Sequence, residues 1–179
     1  KIEDVWKAIS KSLAQTTIGN PENEKVRMGS LAGQSQKKEV LEQVQKLLAS
    51  SQILYGSLDS VELIDADDKK GAFMSPLLLK NEHPFINNEA HNIEAFGPVS
   101  TIMPYKNIDE AIALAKLGKG SLCSSVGIVN EQFSKNVILG ASTFHGRILL
   151  FERYCAKEGT GQGSPMRMLT QGGPGRADV

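Results

Sequence analysis

The sequence has no excess of either charge: 20 Lys and Arg stand against 20 Asp and Glu in 179 residues. That balance argues against a nucleic-acid footprint and against an acidic, disordered tail. Long apolar runs are missing too. The longest extend over a few residues, as in Ile148 to Phe151, far short of the roughly 20 that a membrane-spanning helix needs. No signal-peptide pattern opens the chain. Cysteine is scarce: Cys123 and Cys155 are too few for a disulfide framework and fit a reducing, cytoplasmic setting. No internal repeat or low-complexity segment is visible. What is present is an ordinary globular composition, 40% hydrophobic, in a length that suits one domain over residues 1–179. The chain opens inside a helical pattern and stops in a glycine-rich loop at Gly175-Arg176-Ala177-Asp178-Val179. It reads as a piece of a longer chain.

Periodicity supplies the elements. Ile2, Val5, Trp6, Ile9 and Leu13 recur at helical spacing, and Gly19-Asn20-Pro21 ends that helix. Val40, Leu41, Val44, Leu47 and Leu48 form one stripe of a second helix. Gln52 to Ser57 reads as a strand ending at Gly56, and Asp59 to Gly71 as a charged loop or hairpin. Ala72 to Lys80 is apolar but interrupted by Pro76, which predicts an edge or bulged strand. From Gly97 onward the order is strand, helix, strand, helix, strand. Asn107, with Glu110 three residues on, caps the first of these helices; Gly118 stops it, and Asn130 caps the second. His145-Gly146 turns into the last strand. Strands alternating with helices of ten to fifteen residues imply crossover connections. The expected fold class is α/β, a mainly parallel sheet with helices on both faces. In such sheets function gathers beyond the carboxyl ends of strands.

Most candidate chemistry falls to a blander reading. Cys123 lies within a predicted strand and reads as a small core residue. Cys155 is better placed, in a loop with Arg153 and Lys157 nearby to lower its pKa, but no histidine is close in sequence. His83, His91 and His145 lack zinc-ligand spacing, so no metal site is expected; His91, near Glu89 and Glu94, reads as a solvated loop residue. The stretch GTGQGS, Gly159 to Ser164, imitates a dinucleotide loop. Its third glycine comes one position early, and SPMRMLTQGGPG follows where a helix N-terminus is required.

Glu94 stands apart. It precedes Phe96 by two residues, and Gly97-Pro98 then leads into the strand. Glycine lets the backbone turn, and proline fixes φ and gives up an N–H. A carboxylate on so rigid a mount can accept two hydroxyl hydrogen bonds from a sugar, and the aromatic can cover a flat ring. An exposed loop glutamate is the plain alternative.

Glu94-Ala95-Phe96-Gly97-Pro98-Val99 resembles the E-x-F-G-P-V signature of the aldehyde dehydrogenase superfamily. GNPENEKVRMGSL, Gly19 to Leu31, is similar to that family's G-D-P…M-G-P-L segment, with Asn20 for aspartate and Ser30 for proline. YKNIDEAIALAK is similar to its aspartate-glutamate-alanine helix start, and HGRIL to the strand before its substrate-channel loop. The resemblance runs the length of the chain. Cys155 to Ala177 further resembles the loop of a bifunctional phenylacetate-degradation subfamily, in which the dehydrogenase domain is fused to a hotdog-type hydratase. Glu152 departs from the asparagine usual there.

The resemblance implies a mechanism in which a cysteine thiolate attacks an aldehyde, hydride passes to NAD or NADP, and a glutamate-activated water hydrolyses the thioester. It implies that Glu94 binds the nicotinamide-side ribose hydroxyls, that Phe96 packs beside the nicotinamide, and that Arg153 to Gly173 line the aldehyde channel. The family's nucleophile lies in a G-Q-x-C motif that this sequence does not contain, and Cys123 and Cys155 do not match its position. The expectation is therefore part of a catalytic domain with no catalytic residue of its own. It would serve a cytoplasmic enzyme that binds NAD or NADP only at full length. Such an enzyme would act on an aldehyde, possibly CoA-linked, and assemble from identical copies, without nucleic-acid or membrane partners. The alternative is a non-catalytic relative serving assembly or interaction.

Overall fold

The computed structural model describes residues 1–128 and 130–154. The chain divides into two compact units, Lys1–Pro104 and Tyr105–Val179.

In the first unit, helix α1 (Ile2–Leu13) closes at Ala14, earlier than Gly19. Ile18–Gly19 instead forms a two-residue strand, β1, parallel to β3 (Leu63–Ile64). Gly19 is therefore a contact glycine and not a helix stop. A Cβ there would lie 1.9 Å from the Ile64 carbonyl oxygen. The charged Asp59 to Gly71 region thus holds β3 and no hairpin. Helix α2 (Gln34–Leu47) buries Val40, Val44 and Leu47.

A three-stranded sheet follows, in the order β2 (Gln52–Tyr55), β4 (Leu77–Lys80), β5 (Val99–Ile102). Strand β4 is central, antiparallel to β2 and parallel to β5. This corrects the expectation of an edge strand. Pro76 precedes the first ladder residue, so its missing N–H falls outside the ladder. The Leu77 amide makes the first bond, to the Pro98 carbonyl at 2.8 Å. Leu77, Leu78 and Leu79 are at most 1% exposed, the continuous apolar run of a strand covered on both faces. At roughly 1.5–3 kcal/mol per buried leucine they are a large share of what holds this unit. The irregularity lies on β2, between Ile53 and Tyr55.

The second unit carries α4 (Ile108–Leu117), β6 (Ser121–Gly127), α5 (Glu131–Ala141), a 3₁₀ turn (Ser142–Phe144) and β7 (His145–Phe151). Strands β6 and β7 pair in parallel. His145 opens the strand and is no turn residue. The capping asparagines act as expected: Asn107 Oδ1 accepts from the Glu110 amide at 2.9 Å, and Asn130 Oδ1 from the Phe133 amide at 2.8 Å. Gly118 ends α4 but keeps a right-handed φ of −67°. The left-handed step falls one residue later, at Lys119 with φ 55°. Among the described residues three of the four strand pairings are parallel. No helix among them is long and apolar enough to cross a membrane.

Candidate functional site

Glu94 to Pro98 link a single helical turn, α3 (Glu89–Asn92), to the amino end of β5. Exposure alternates from Glu94 to Phe96, and the backbone then bends over residues 96–98 before the strand. Ala95 packs against the cluster of Val40, Val44, Met74 and Leu77. Glu94 and Phe96, on either side of it in sequence, are exposed, Phe96 by 65%.

Three contacts fix the backbone between them and the strand. The Gln36 side-chain amide of α2 donates to the Phe96 carbonyl at 2.9 Å. Gly97 lies so close to α2 that a Cβ there would stand 2.8 Å from Val40 Cγ1. The Pro98 carbonyl accepts from Leu77 of β4. Among the described residues the Glu94 carboxylate has no ion-pair or hydrogen-bond partner. A carboxylate without an internal partner keeps all its lone pairs for hydroxyl or amide donors from outside. An exposed phenyl ring two residues on gives a ligand an apolar face.

This arrangement sits ahead of β5, at the end opposite to the one the sheet rule favours. The carboxyl end of β4 is occupied structurally. Asn81, fully buried, accepts from the His83 amide at 3.0 Å and donates to the Asn87 carbonyl at 3.3 Å. His91 is no solvated loop residue: it lies in α3, half-buried, with Nε2 against the Pro84 carbonyl at 2.9 Å. Among the described residues no three His, Cys, Asp or Glu side chains gather as a metal site would require.

Cys123 lies half-buried in β6 as a free thiol. Cys155, Gly159 to Ser164 and the channel loop beyond Tyr154 lie outside the described residues.

One pairing escaped the sequence. Ser124 Oγ and His145 Nδ1 lie 2.7 Å apart across β6 and β7. His145 is 3% exposed, and burial holds its pKa below the ordinary histidine value because the charged form is desolvated. Twenty-one positions separate the two residues, and only the parallel pairing of two strands brings them together. A histidine at the first position of an apolar strand was the one local hint.

The model of the aldehyde dehydrogenase family matches residues 1–133. A 3,4-dehydroadipyl-CoA semialdehyde dehydrogenase of Aromatoleum evansii is 34% identical over 167 residues, 93% of this chain and 32% of the relative. Protein MaoC of Klebsiella aerogenes is 40% identical over 152 residues, 84% of this chain and 43% of the relative. The chain thus spans less than half the length of either. Among solved structures, a succinic semialdehyde dehydrogenase from Streptococcus pyogenes, in complex with NADP+, superposes with a TM-score of 0.70 at 20% identity. The match covers 83% of this chain and 30% of that one.

Proposed function

The chain belongs to the aldehyde dehydrogenase family, and from that premise we propose that it forms the cofactor-facing edge of an NAD(P)-dependent aldehyde dehydrogenase. Glu94 accepts hydrogen bonds from the two hydroxyls of the nicotinamide-side ribose, and Phe96 packs beside the nicotinamide ring. The single observation that carries this reading is the Glu94 carboxylate, exposed and without a partner among the described residues, on a backbone clamped by Gln36, Val40 and Leu77. Those residues fit the group: vicinal hydroxyls present two donors and a carboxylate offers two acceptor oxygens.

NAD(P), when bound, supplies the hydride acceptor. This chain's part is positional. Fixing the ribose limits rotation of the attached ring, and the clamp means that little backbone freedom is lost on binding. The nucleophile and the general base come from sequence outside these 179 residues. A CoA-linked semialdehyde is the substrate class we favour. Two similarities support it: the relative from Aromatoleum evansii, and the resemblance of Cys155 to Ala177 to the phenylacetate-degradation loop.

The test is Glu94→Gln in the full-length protein. Hydrogen bonds to a charged group are worth roughly 1.5–3 kcal/mol, so KM for the cofactor should rise about 10- to 100-fold. KM for the aldehyde should hold, as should the melting temperature, since the side chain has no structural partner to lose. A cofactor KM unchanged by the substitution would remove Glu94 from the ribose site.

A further inference from the structure

Helix α2 starts without the side-chain cap found on α4 and α5. Gly33 stands at its N-cap, and no acidic residue occupies its first turn. The third helical residue is Gln36, half-buried. Its Oε1 accepts from the Ala32 amide at 2.9 Å, one residue before the cap. Helix α4 makes the same displaced bond with a glutamate: Glu110 Oε2 accepts from the Lys106 amide at 2.8 Å.

Local chemistry favours glutamate at this position. It reaches back to the same kind of amide, and its charge suits the positive end of the helix dipole. Glutamine gives up that charge. What it has instead is a donor on the other side of the group. Gln36 Nε2 donates to the Phe96 carbonyl at 2.9 Å, 60 residues away in sequence. Between an N–H and a carbonyl, a side-chain amide fits in one orientation and a carboxylate in neither. The distant carbonyl thus accounts for a residue that the local capping rule does not choose. Such departures are expected at functional sites.

The peptide joining Phe96 to Gly97 is held at both ends. Its carbonyl accepts from Gln36, and its N–H donates to the Ala95 carbonyl at 2.7 Å. The Ala95 bond closes a three-residue turn. Glycine on the far side of the peptide does little to restrict its plane. The bond from α2 supplies that restriction, and Val40, one turn further along the same face, stands against Gly97. Resting on the ribose contact proposed for Glu94, we infer that Gln36 is a positioning residue of the cofactor edge. It acts through the backbone, holding the Phe96–Gly97 peptide in one setting. Glu94 and Phe96 then meet the cofactor without a loop to order first.

The test separates the two ends of the amide in the full-length protein. Gln36→Glu keeps the acceptor for Ala32 and sets an oxygen against the Phe96 carbonyl. Gln36→Lys keeps a donor for Phe96 and gives up the Ala32 bond. Calorimetric titration with NAD+ and with NADP+ gives the dissociation constant of the cofactor that binds. Gln36→Glu should raise it about 2- to 10-fold, the worth of one hydrogen bond. Gln36→Lys should retain most of the affinity, and KM for the aldehyde should hold in both. Without cofactor, hydrogen–deuterium exchange of a peptide containing Gly97 should quicken in Gln36→Glu and not in Gln36→Lys. Exchange that Gln36→Glu leaves unchanged would overturn the proposal. So would equal losses of affinity in the two variants, because the Ala32 end would then matter as much as Phe96. Glu94→Gln is measured beside them. If it raises the dissociation constant and Gln36→Glu does not, the ribose contact stands and the role of Gln36 falls. If Glu94→Gln leaves the constant unmoved, the ribose contact itself fails, and the role of Gln36 with it.

Discussion

Gly97 is small because α2 stands where a side chain would go. Its φ is not in the left-handed region, so turning is not what demands glycine here. The demand is steric, with Val40 Cγ1 2.8 Å and Cγ2 3.0 Å from the ideal Cβ position. Val40 is itself 1% exposed and has nowhere to retreat. Gly97→Ala should therefore destabilise the protein by about 1–3 kcal/mol, the usual cost of overpacking. In combination with Val40→Ala, which opens the space, the two losses should fall short of their sum by about 1 kcal/mol in urea unfolding. Strict additivity would show that Gly97 is not held against Val40. The stiffness of the Glu94 mount was legible from Gly97-Pro98 alone, but its cause was not. The sequence pattern suggests a turn, and the backbone does bend there, the Gly97 amide donating to the Ala95 carbonyl at 2.7 Å and the Val99 amide to the Gly97 carbonyl at 2.8 Å. What the pattern does not name is the helix, more than fifty residues earlier, that packs against Gly97. Nothing local in a sequence records which side chain will stand opposite a glycine.

Helices with one apolar stripe were readable because their period is internal to the segment. The caps of α4 and α5 were readable for the same reason. At α4 the capping box is displaced by one position. Asn107 accepts from the Glu110 amide, while Glu110 Oε2 accepts from the Lys106 amide at 2.8 Å, not from that of Asn107. Asn107→Ala should cost about 1 kcal/mol, and Asn107→Asp should cost little, since aspartate caps equally well and favours the positive end of the helix dipole. A urea midpoint that alanine leaves unchanged would mean that this end of α4 is already frayed. The strands were harder to read. Two residues are too few for any periodicity, so β1 and β3 escaped. Strand β4 was legible as apolar but misplaced in the sheet, because Pro76 speaks only for its own amide and not for the residues after it. The Ser124–His145 pair was invisible for a related reason: it depends on which strand lies beside which, and that is decided by packing.

At the scale of the molecule, amphipathicity and burial do not coincide everywhere. Helix α1 carries its apolar stripe as expected, yet none of its residues is buried, and Val5 and Ile9 are 51% and 36% exposed. The relatives from Aromatoleum evansii and Klebsiella aerogenes are two to three times as long as the matched share of this chain. On the proposed function, catalysis follows the same division. Aldehyde oxidation in this family needs an activated thiolate, and no G-Q-x-C motif occurs in the 179 residues. Cys123 is an unsuitable substitute: it sits within a strand, half-buried, at the register position opposite Arg147. These residues expressed alone should form no NAD(P)H from any aldehyde above a protein-free control at 340 nm. The full-length protein should turn over under the same conditions. The proposed cofactor contact by Glu94 and Phe96 is likewise one side of a site, so the isolated residues should bind NAD(P) more weakly than the full-length protein. Aldehyde-dependent reduction by the isolated residues would overturn this division of labour. If that activity then vanished in Cys155→Ser, the nucleophile would have to be placed within this chain after all.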